Sequence, residues 1–269
     1  MDFIIAAVYK FFSVQQPQQL IRQLRELLGS QQILGTIIVA SEGLNGTICG
    51  SREAIDCFKQ FLQQQEILAG SEYKEASYHK QVFRKLKVKL KPEIVTLKMP
   101  VNPAKMVGQY VDPKDWNALI QDQNTIVIDT RNDYEYKIGT FPNAVNPKTQ
   151  KFSELQTFVA EQLAGKKDAT IAMMCTGGVR CEKSTSLLLQ QGFKRVFHLK
   201  GGILNYLATI PAQQNLWQGE CYVFDQRVSV GLGLVKGQAQ LCFDCGDVFL
   251  PDKQVTLHAN CSKIAVTSQ

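Results

Sequence analysis

The sequence predicts two main domains, one α+β and one α/β, followed by a small tail that carries cysteine and histidine. Three observations lead there. Over the first 98 residues, short apolar runs and helical patterns follow one another in the order β-α-β-β-α-β, that of a split βαβ unit. From Trp116 onward, continuous apolar runs alternate with helical ones, as in a parallel sheet covered on both faces. The chain has 269 residues, a length at which single cores usually stop growing. The expected divisions are 1–98, a linker at 99–115, the α/β domain at 116–219 and a carboxyl-terminal segment at 220–269.

The amino-terminal elements are read in order. "FIIAAVYKFF" is a strand. "PQQLIRQLRELLGS" is a helix, with Leu20, Ile21, Leu24, Leu27 and Leu28 on one face and Gly29 as its stop. "LGTIIVA" is a buried strand, and "SEGLNGTICG" reads as a hairpin turn through its glycines and Asn45. "SREAIDCFKQFLQQQ" is a second helix with Ser51 as N-cap. "QVFRKLKVKLKPEIVTL" closes the set as extended chain, giving a ferredoxin-like (acylphosphatase-like) arrangement.

Charge is concentrated beside that last stretch. Between Ser71 and Tyr110 nine lysines and arginines stand against Glu72, Glu75 and Glu93, so this segment alone carries +6, the net charge of the whole chain. In "RKLKVKLK" the residues Lys85, Lys87, Lys89 and Lys91 fall on one face of a strand, with Leu86, Val88 and Leu90 on the other. A solvated sheet face is one reading. The density of four lysines without an interleaved acid favours the other, contact with a nucleic acid. Pro92, Pro100, Pro103 and Pro113 then break helix and ladder alike, which suits a linker.

In the second domain "TIVIDTR" and "ATIAMMC" are the buried parallel strands. "KFSELQTFVAEQLAGK" and "EKSTSLLLQQG" are helices, the latter stopped by Gly192, and "KRVFHLKGGILNYL" adds a strand and a helix. Cys175 therefore ends a buried strand just before a helix, the place where open α/β sheets bind ligands. Thr176, Gly177, Gly178 and Val179 suit a tight loop with its N–H groups turned inward, aided by the partial positive charge of the helix N-terminus. Such a cradle favours a thiolate, a persulfide or a bound oxyanion at Cys175, and Arg180 and Lys183 reinforce the field. The competing readings are a core cysteine that merely ends a strand and a Cys175–Cys181 disulfide, which a reducing compartment disfavours. Cys181 is either a resolving thiol or a small residue in the first helical turn. Asp129 and Arg131, two apart at a strand end, are read as a structural brace.

The segments "TIVIDTRNDYEYKIGTFPNAVNP", "MMCTGGVRCEKS" and "VFHLKGGILNY" resemble the rhodanese domain, with its Asp-x-Arg-x3-Glu turn, cysteine loop and closing Leu-x-Gly-Gly. Related cysteine phosphatases of that fold have five residues between cysteine and arginine. Here Cys175 and Arg180 have four, a ring that suits sulfur chemistry rather than phosphate. With "SEGLNGTICG" and "KLKVKLKPEIVTL" ahead of these, nearly the whole chain resembles the rhodanese-domain tRNA hydroxylases, which form 5-hydroxyuridine at the wobble position using molecular oxygen. That resemblance implies Cys175 as catalytic cysteine, oxygen as co-substrate, and an amino-terminal domain that helps hold the anticodon region of tRNA. The alternatives are a sulfurtransferase that carries a persulfide from a small donor to a protein or tRNA acceptor, and a non-catalytic tRNA-binding module.

In the tail, "CFDCGDVFLPDKQVTLHANC" spaces Cys242, Cys245, His258 and Cys261 as a structural Cys3His zinc site. The resembling family often has a cysteine where His258 stands, and a set of unrelated thiols is the competing reading. No flavin, haem or nicotinamide site is evident, there being no Gly-x-Gly-x-x-Gly fingerprint after a strand. The histidines are His79, His198 and His258, so a two-histidine iron site would have to draw on both domains. The chain is 45% hydrophobic and 20% charged, has no membrane-length apolar run, and begins with an acid at position 2 rather than a leader pattern. A cytoplasmic protein is expected. Nothing in one chain specifies its oligomeric state.

Overall fold

In the first unit β1 (Phe3–Phe11), α1 (Pro17–Ser30), β2 (Leu34–Ala40), β3 (Gly43–Gly50), α2 (Arg52–Gln64), β4 (Glu72–Tyr78) and β5 (Leu86–Leu90) form one sheet and two helices. This computed structural model describes residues 2–242 and 246–251. It divides into two compact units, the residues up to Lys98 with Asn102–Lys105, and Met99–Val101 with the chain from Met106.

The first sheet has the order β4-β1-β3-β2-β5. Its first four strands pair antiparallel, and β5 is added to the outer side of β2 in parallel. Two sequence expectations are corrected here. The lysine strand does not close the βαββαβ set. That place belongs to β4, whose sequence "EYKEASY" is too polar to show as a core strand, and the lysine strand is a fifth, marginal one. The hairpin turn does not pass through the glycines of "SEGLNGTICG" either. Ala40 pairs with Gly43, so the turn is Ser41 and Glu42 and the glycines lie within β3.

Leu20, Ile21, Leu24 and Leu28 of α1 and Ile55, Phe58 and Leu62 of α2 pack on Ala6, Val8, Ile37, Val39, Leu44, Ile48 and Val88 of the sheet. Each such large side chain contributes about 1.5–3 kcal/mol by leaving water. Ser51 caps α2, its hydroxyl accepting from Ala54 N at 3.2 Å. The amphipathic spacing that predicts both helices is thus met by one apolar sheet face.

The second unit runs β6 (Gln109–Val111), α3 (Pro113–Gln121), β7 (Thr125–Asp129), the short α4 (Asp133–Tyr136), β8 (Gly139–Thr140), α5 (Leu155–Gln162), β9 (Thr170–Met174), α6 (Val179–Gln190), β10 (Arg195–Leu199) and α7 (Gly202–Thr209). The sheet is β6-β10-β9-β7, parallel throughout. Strand β6 and the start of α3 occupy the end of the proline-punctuated stretch. Pro113 opens the helix, a position where its missing N–H costs nothing.

Trp116, Ile120, Ile203, Tyr206 and Leu207 pack from α3 and α7 on Val127, Ala172, Met174 and Leu199, while α6 lies against β9 and β10. Phe141 stands edge-on to Tyr206 and Trp217, with centroids 4.8 and 5.1 Å apart. Beyond α7, β11 (Gln218–Gly219) pairs with β8, β12 (Cys221–Tyr222) with β13 (Ser229–Val230), and β14 (Gln240–Leu241) with β15 (Val248–Phe249).

Candidate active site

Cys175 follows directly on β9, and α6 starts four residues later at Val179, one helical turn earlier than the sequence pattern indicates. Gly178, at φ +106°, makes the sharp entry that a side chain would oppose. The loop carbonyls face away from the sulfur: Cys175 O accepts from Ile203 N at 2.9 Å and Thr176 O from Leu204 N at 3.0 Å. Gly202 permits this docking of α7, because a Cβ there would stand 2.5 Å from Cys175 O and 2.6 Å from Thr176 O.

On the opposite side Gly178 N donates to Cys175 Sγ at 3.1 Å. The Cys181 thiol and amide also favour a charge on this sulfur. Cys175 has no exposed surface, so a substrate reaches Sγ only when covering residues move. Burial by itself raises the pKa of a thiol. Here the Cys181 thiol, the Arg180 charge and the amides of Cys181 and Gly178 outweigh it and bring Cys175 down to about 6. The Cys181 thiol is pushed the other way, by burial and by the thiolate it serves. Its sulfur lies 3.8 Å from Thr130 Oγ1, which donates to Met174 O at 3.0 Å.

Arg180 does not point freely at the sulfur. It is held bidentate by Glu135, with Nη1 to Oε2 and Nη2 to Oε1 both 2.7 Å, and it donates to Thr176 Oγ1 at 3.3 Å. Glu135 is buried on α4; despite that burial, the charges of Arg180 and Arg131 keep its carboxyl below the usual range. Asp129 and Arg131 form a second buried pair, joined by Nε to Oδ1 at 2.9 Å and Nη2 to Oδ2 at 2.6 Å. Arg131 also donates to Gly139 O, and Thr140 to Asp129, tying the end of β7 to β8. Its guanidinium lies 5.0 Å from the centre of the Trp217 ring.

The loop residues Thr176, Gly177, Gly178, Val179, Arg180 and Cys181 are thus gathered around Cys175, and Lys183 is buried on the first turns of α6. Lys85, Lys87, Lys89 and Lys91 are exposed along β5 in the other unit, as is Leu90 at 45%, which sequence alternation assigns to the core. Of the zinc candidates only Cys242 is among the described residues. Cys245, His258 and Cys261 lie outside them. Among the described residues no group of three or more metal-ligating side chains is gathered. His198 is buried with neither ring nitrogen hydrogen-bonded, and burial brings it down to about 4.

Three residues were not singled out from sequence. Glu135 stands in the Asp-x-Arg-x3-Glu turn, and its spacing from Arg131 was the available signal. Gly202 belongs to the Leu-x-Gly-Gly segment. Cys221 gives no local signal; it is buried beside both ion pairs, and burial raises its thiol to about 12.

Residues 3–94 match the UPF0176 acylphosphatase like domain family, and residues 112–209 match the rhodanese-like domain family. A protein of Acinetobacter baylyi named tRNA uridine(34) hydroxylase is 51% identical over 252 residues, which is 94% of this chain and 80% of that one. This chain belongs to the tRNA uridine(34) hydroxylase family. A member of the same name from a Picosynechococcus species is 51% identical over 246 residues, covering 91% of this chain and 83% of its own. The solution structure of the rhodanese-like domain of an Anabaena protein matches 42% of this chain and 80% of that domain, at 20% identity and a TM-score of 0.34. Among the described residues no helix is long and apolar enough to cross a membrane.

Proposed function

We propose that this protein is a cytoplasmic enzyme that hydroxylates the wobble uridine of tRNA to 5-hydroxyuridine, with molecular oxygen as co-substrate and Cys175 as catalytic residue. One observation carries the reading: a sulfur held ionised by the Gly178 amide and the Arg180 charge, in a chain half identical to proteins named for that reaction. A thiolate so placed is a nucleophile at neutral pH. Glu135 and the Asp129–Arg131 pair act on it indirectly, by fixing Arg180 and the turn after β7. The exposed row Lys85, Lys87, Lys89 and Lys91 supports contact with the anticodon region through phosphate neutralisation.

The deciding experiment is mass spectrometry of tRNA nucleosides from a deletion strain complemented with wild type or Cys175→Ser. Wild type restores one added oxygen at the wobble uridine, only when oxygen is present, and Cys175→Ser does not. Full modification by Cys175→Ser refutes the reading, and sulfur rather than oxygen gained in an acceptor favours the persulfide sulfurtransferase suited to a four-residue loop.

Cys242, Cys245, His258 and Cys261 are assigned to a structural zinc. The support is the Cys-x2-Cys and His-x2-Cys spacing in the sequence. Elemental analysis is expected to find one zinc per chain, lost in Cys242→Ser.

A further inference from the structure

The hydroxylase reading gives Cys181 no task, yet it sits on the first turn of α6, its sulfur meets Thr130, which is bonded to the residue before Cys175, and both cysteines are sealed from solvent. Inserting one atom of dioxygen into a C–H bond leaves the second atom to be reduced to water, and that takes two electrons which the base does not provide. Two thiols passing to a disulfide release two electrons. We propose that Cys181 is a second catalytic residue, and that the Cys175–Cys181 pair is the two-electron donor of the hydroxylation, closing to a disulfide at each turnover and reopened by an external dithiol reductant.

This rests on the hydroxylase reading, and it balances. Uridine C5–H, dioxygen, the Cys175 thiolate, the Cys181 thiol and one solvent proton give C5–OH, water and the disulfide. The O=O bond, the C5–H bond and the Cys181 S–H bond break. One C–O bond, the S–S bond and the O–H bonds of product and water form. Dioxygen is reduced by four electrons, two from the carbon and two from the sulfurs. The reductant then returns two electrons and two protons by thiol–disulfide exchange, a thiolate attacking one sulfur and releasing the other.

The local geometry suits that cycle. The thiolate is the sulfur on the loop, held by Gly178 N at 3.1 Å, and the thiol is the one on the first turn of α6. Thr130 Oγ1, 3.8 Å from Cys181 Sγ, places that sulfur from the opposite side. Cys221 is the contrast: it is equally buried, but its thiol is directed to the Tyr222 carbonyl, 3.7 Å away, rather than to Cys175.

The test uses the full chain, reduced without oxygen, freed of reductant, and then given oxygenated buffer and unmodified tRNA. Nucleoside mass spectrometry counts 5-hydroxyuridine, and non-reducing peptide mass spectrometry counts the Cys175–Cys181 disulfide. The expected result is at most one product per chain, one disulfide per product, and renewed turnover when dithiothreitol is added. Cys181→Ser and Cys181→Ala are expected to lower the single-turnover yield at least about tenfold. Product formed while both thiols stay free overturns the proposal, as does more than one product per chain without reductant, or a wild-type yield from both variants. The disulfide count is made on wild type, so the test stands even if a variant misfolds. No product from wild type with dithiothreitol present throughout refutes the hydroxylase reading itself, and this inference with it.

Discussion

Replacing Cys175 by serine removes the ionisable sulfur while keeping a small hydrogen-bonding side chain, and the effect on stability has a pH dependence set by the site. Unfolded, the thiol ionises at its ordinary value of 9.0; folded, it ionises at about 6. A group whose pKa is depressed by folding stabilises the fold fully above the unfolded value, and loses that contribution as pH falls through the folded one. Wild type should therefore gain steadily on Cys175→Ser between about pH 6 and 9, on the order of 4 kcal/mol in all, with no further change below pH 6. Cys181 and Cys221 are present in both proteins, are raised above 9.0 in the fold, and stay mostly neutral in both states up to about pH 8.5, the top of the range compared. His198 is common to both proteins and cancels. The assay is urea unfolding followed by tryptophan fluorescence, since Trp116 and Trp217 are the two tryptophans of the chain and both sit in the core of the second unit. A difference between the two proteins that stays flat or shrinks from about pH 6 to 8.5 refutes the thiolate.

Other perturbations reach the same architecture from different sides. Glu135→Ala leaves Arg180 buried without its bidentate partner and is expected to cost about 3–5 kcal/mol in chemical denaturation, with Glu135→Gln costing less. Gly202→Ala drives a Cβ to 2.5 Å from Cys175 O at φ +69°. It should displace the loop and lower the yield of 5-hydroxyuridine by about 100-fold, read by nucleoside mass spectrometry. Changing Lys85, Lys87, Lys89 and Lys91 together to glutamine should make the slope of log affinity against log salt shallower by about 3 in a tRNA-binding titration. An unchanged slope would return β5 to the role of a solvated face.

What could be read from sequence follows from how strongly local pattern constrains each element. Helices α1 and α2 announce themselves because one apolar stripe meets one sheet face, and β7 and β9 because strands buried on both sides admit few polar residues. Strand β4 carries Glu72, Lys74 and Glu75 and pairs on one side only, so its register is set by β1 and not by its own apolar period. Strand β6 is three residues long and exists because β10 offers it a parallel partner, a contact no local pattern encodes. At the site, Cys175 and the loop were legible because glycines, a helix start and a cysteine at a strand end have few other uses together. The grip of Glu135 on Arg180 was not, since 45 residues of chain separate them. Cys221 reaches the same ion pairs from still further along the chain.

The position of β5 has a consequence apart from the proposed RNA contact. A sheet margin with unsatisfied backbone groups is a template on which another copy of a chain can zip, and natural proteins blunt such margins with charge. Lys87 and Lys89 on this outer strand, with Lys85 and Lys91 flanking it, make stacking of two copies margin to margin repulsive, even with Leu90 exposed. Neutralising them all would thus invite aggregation as well as testing the proposed RNA contact, and mixed Lys→Glu changes would separate the two effects.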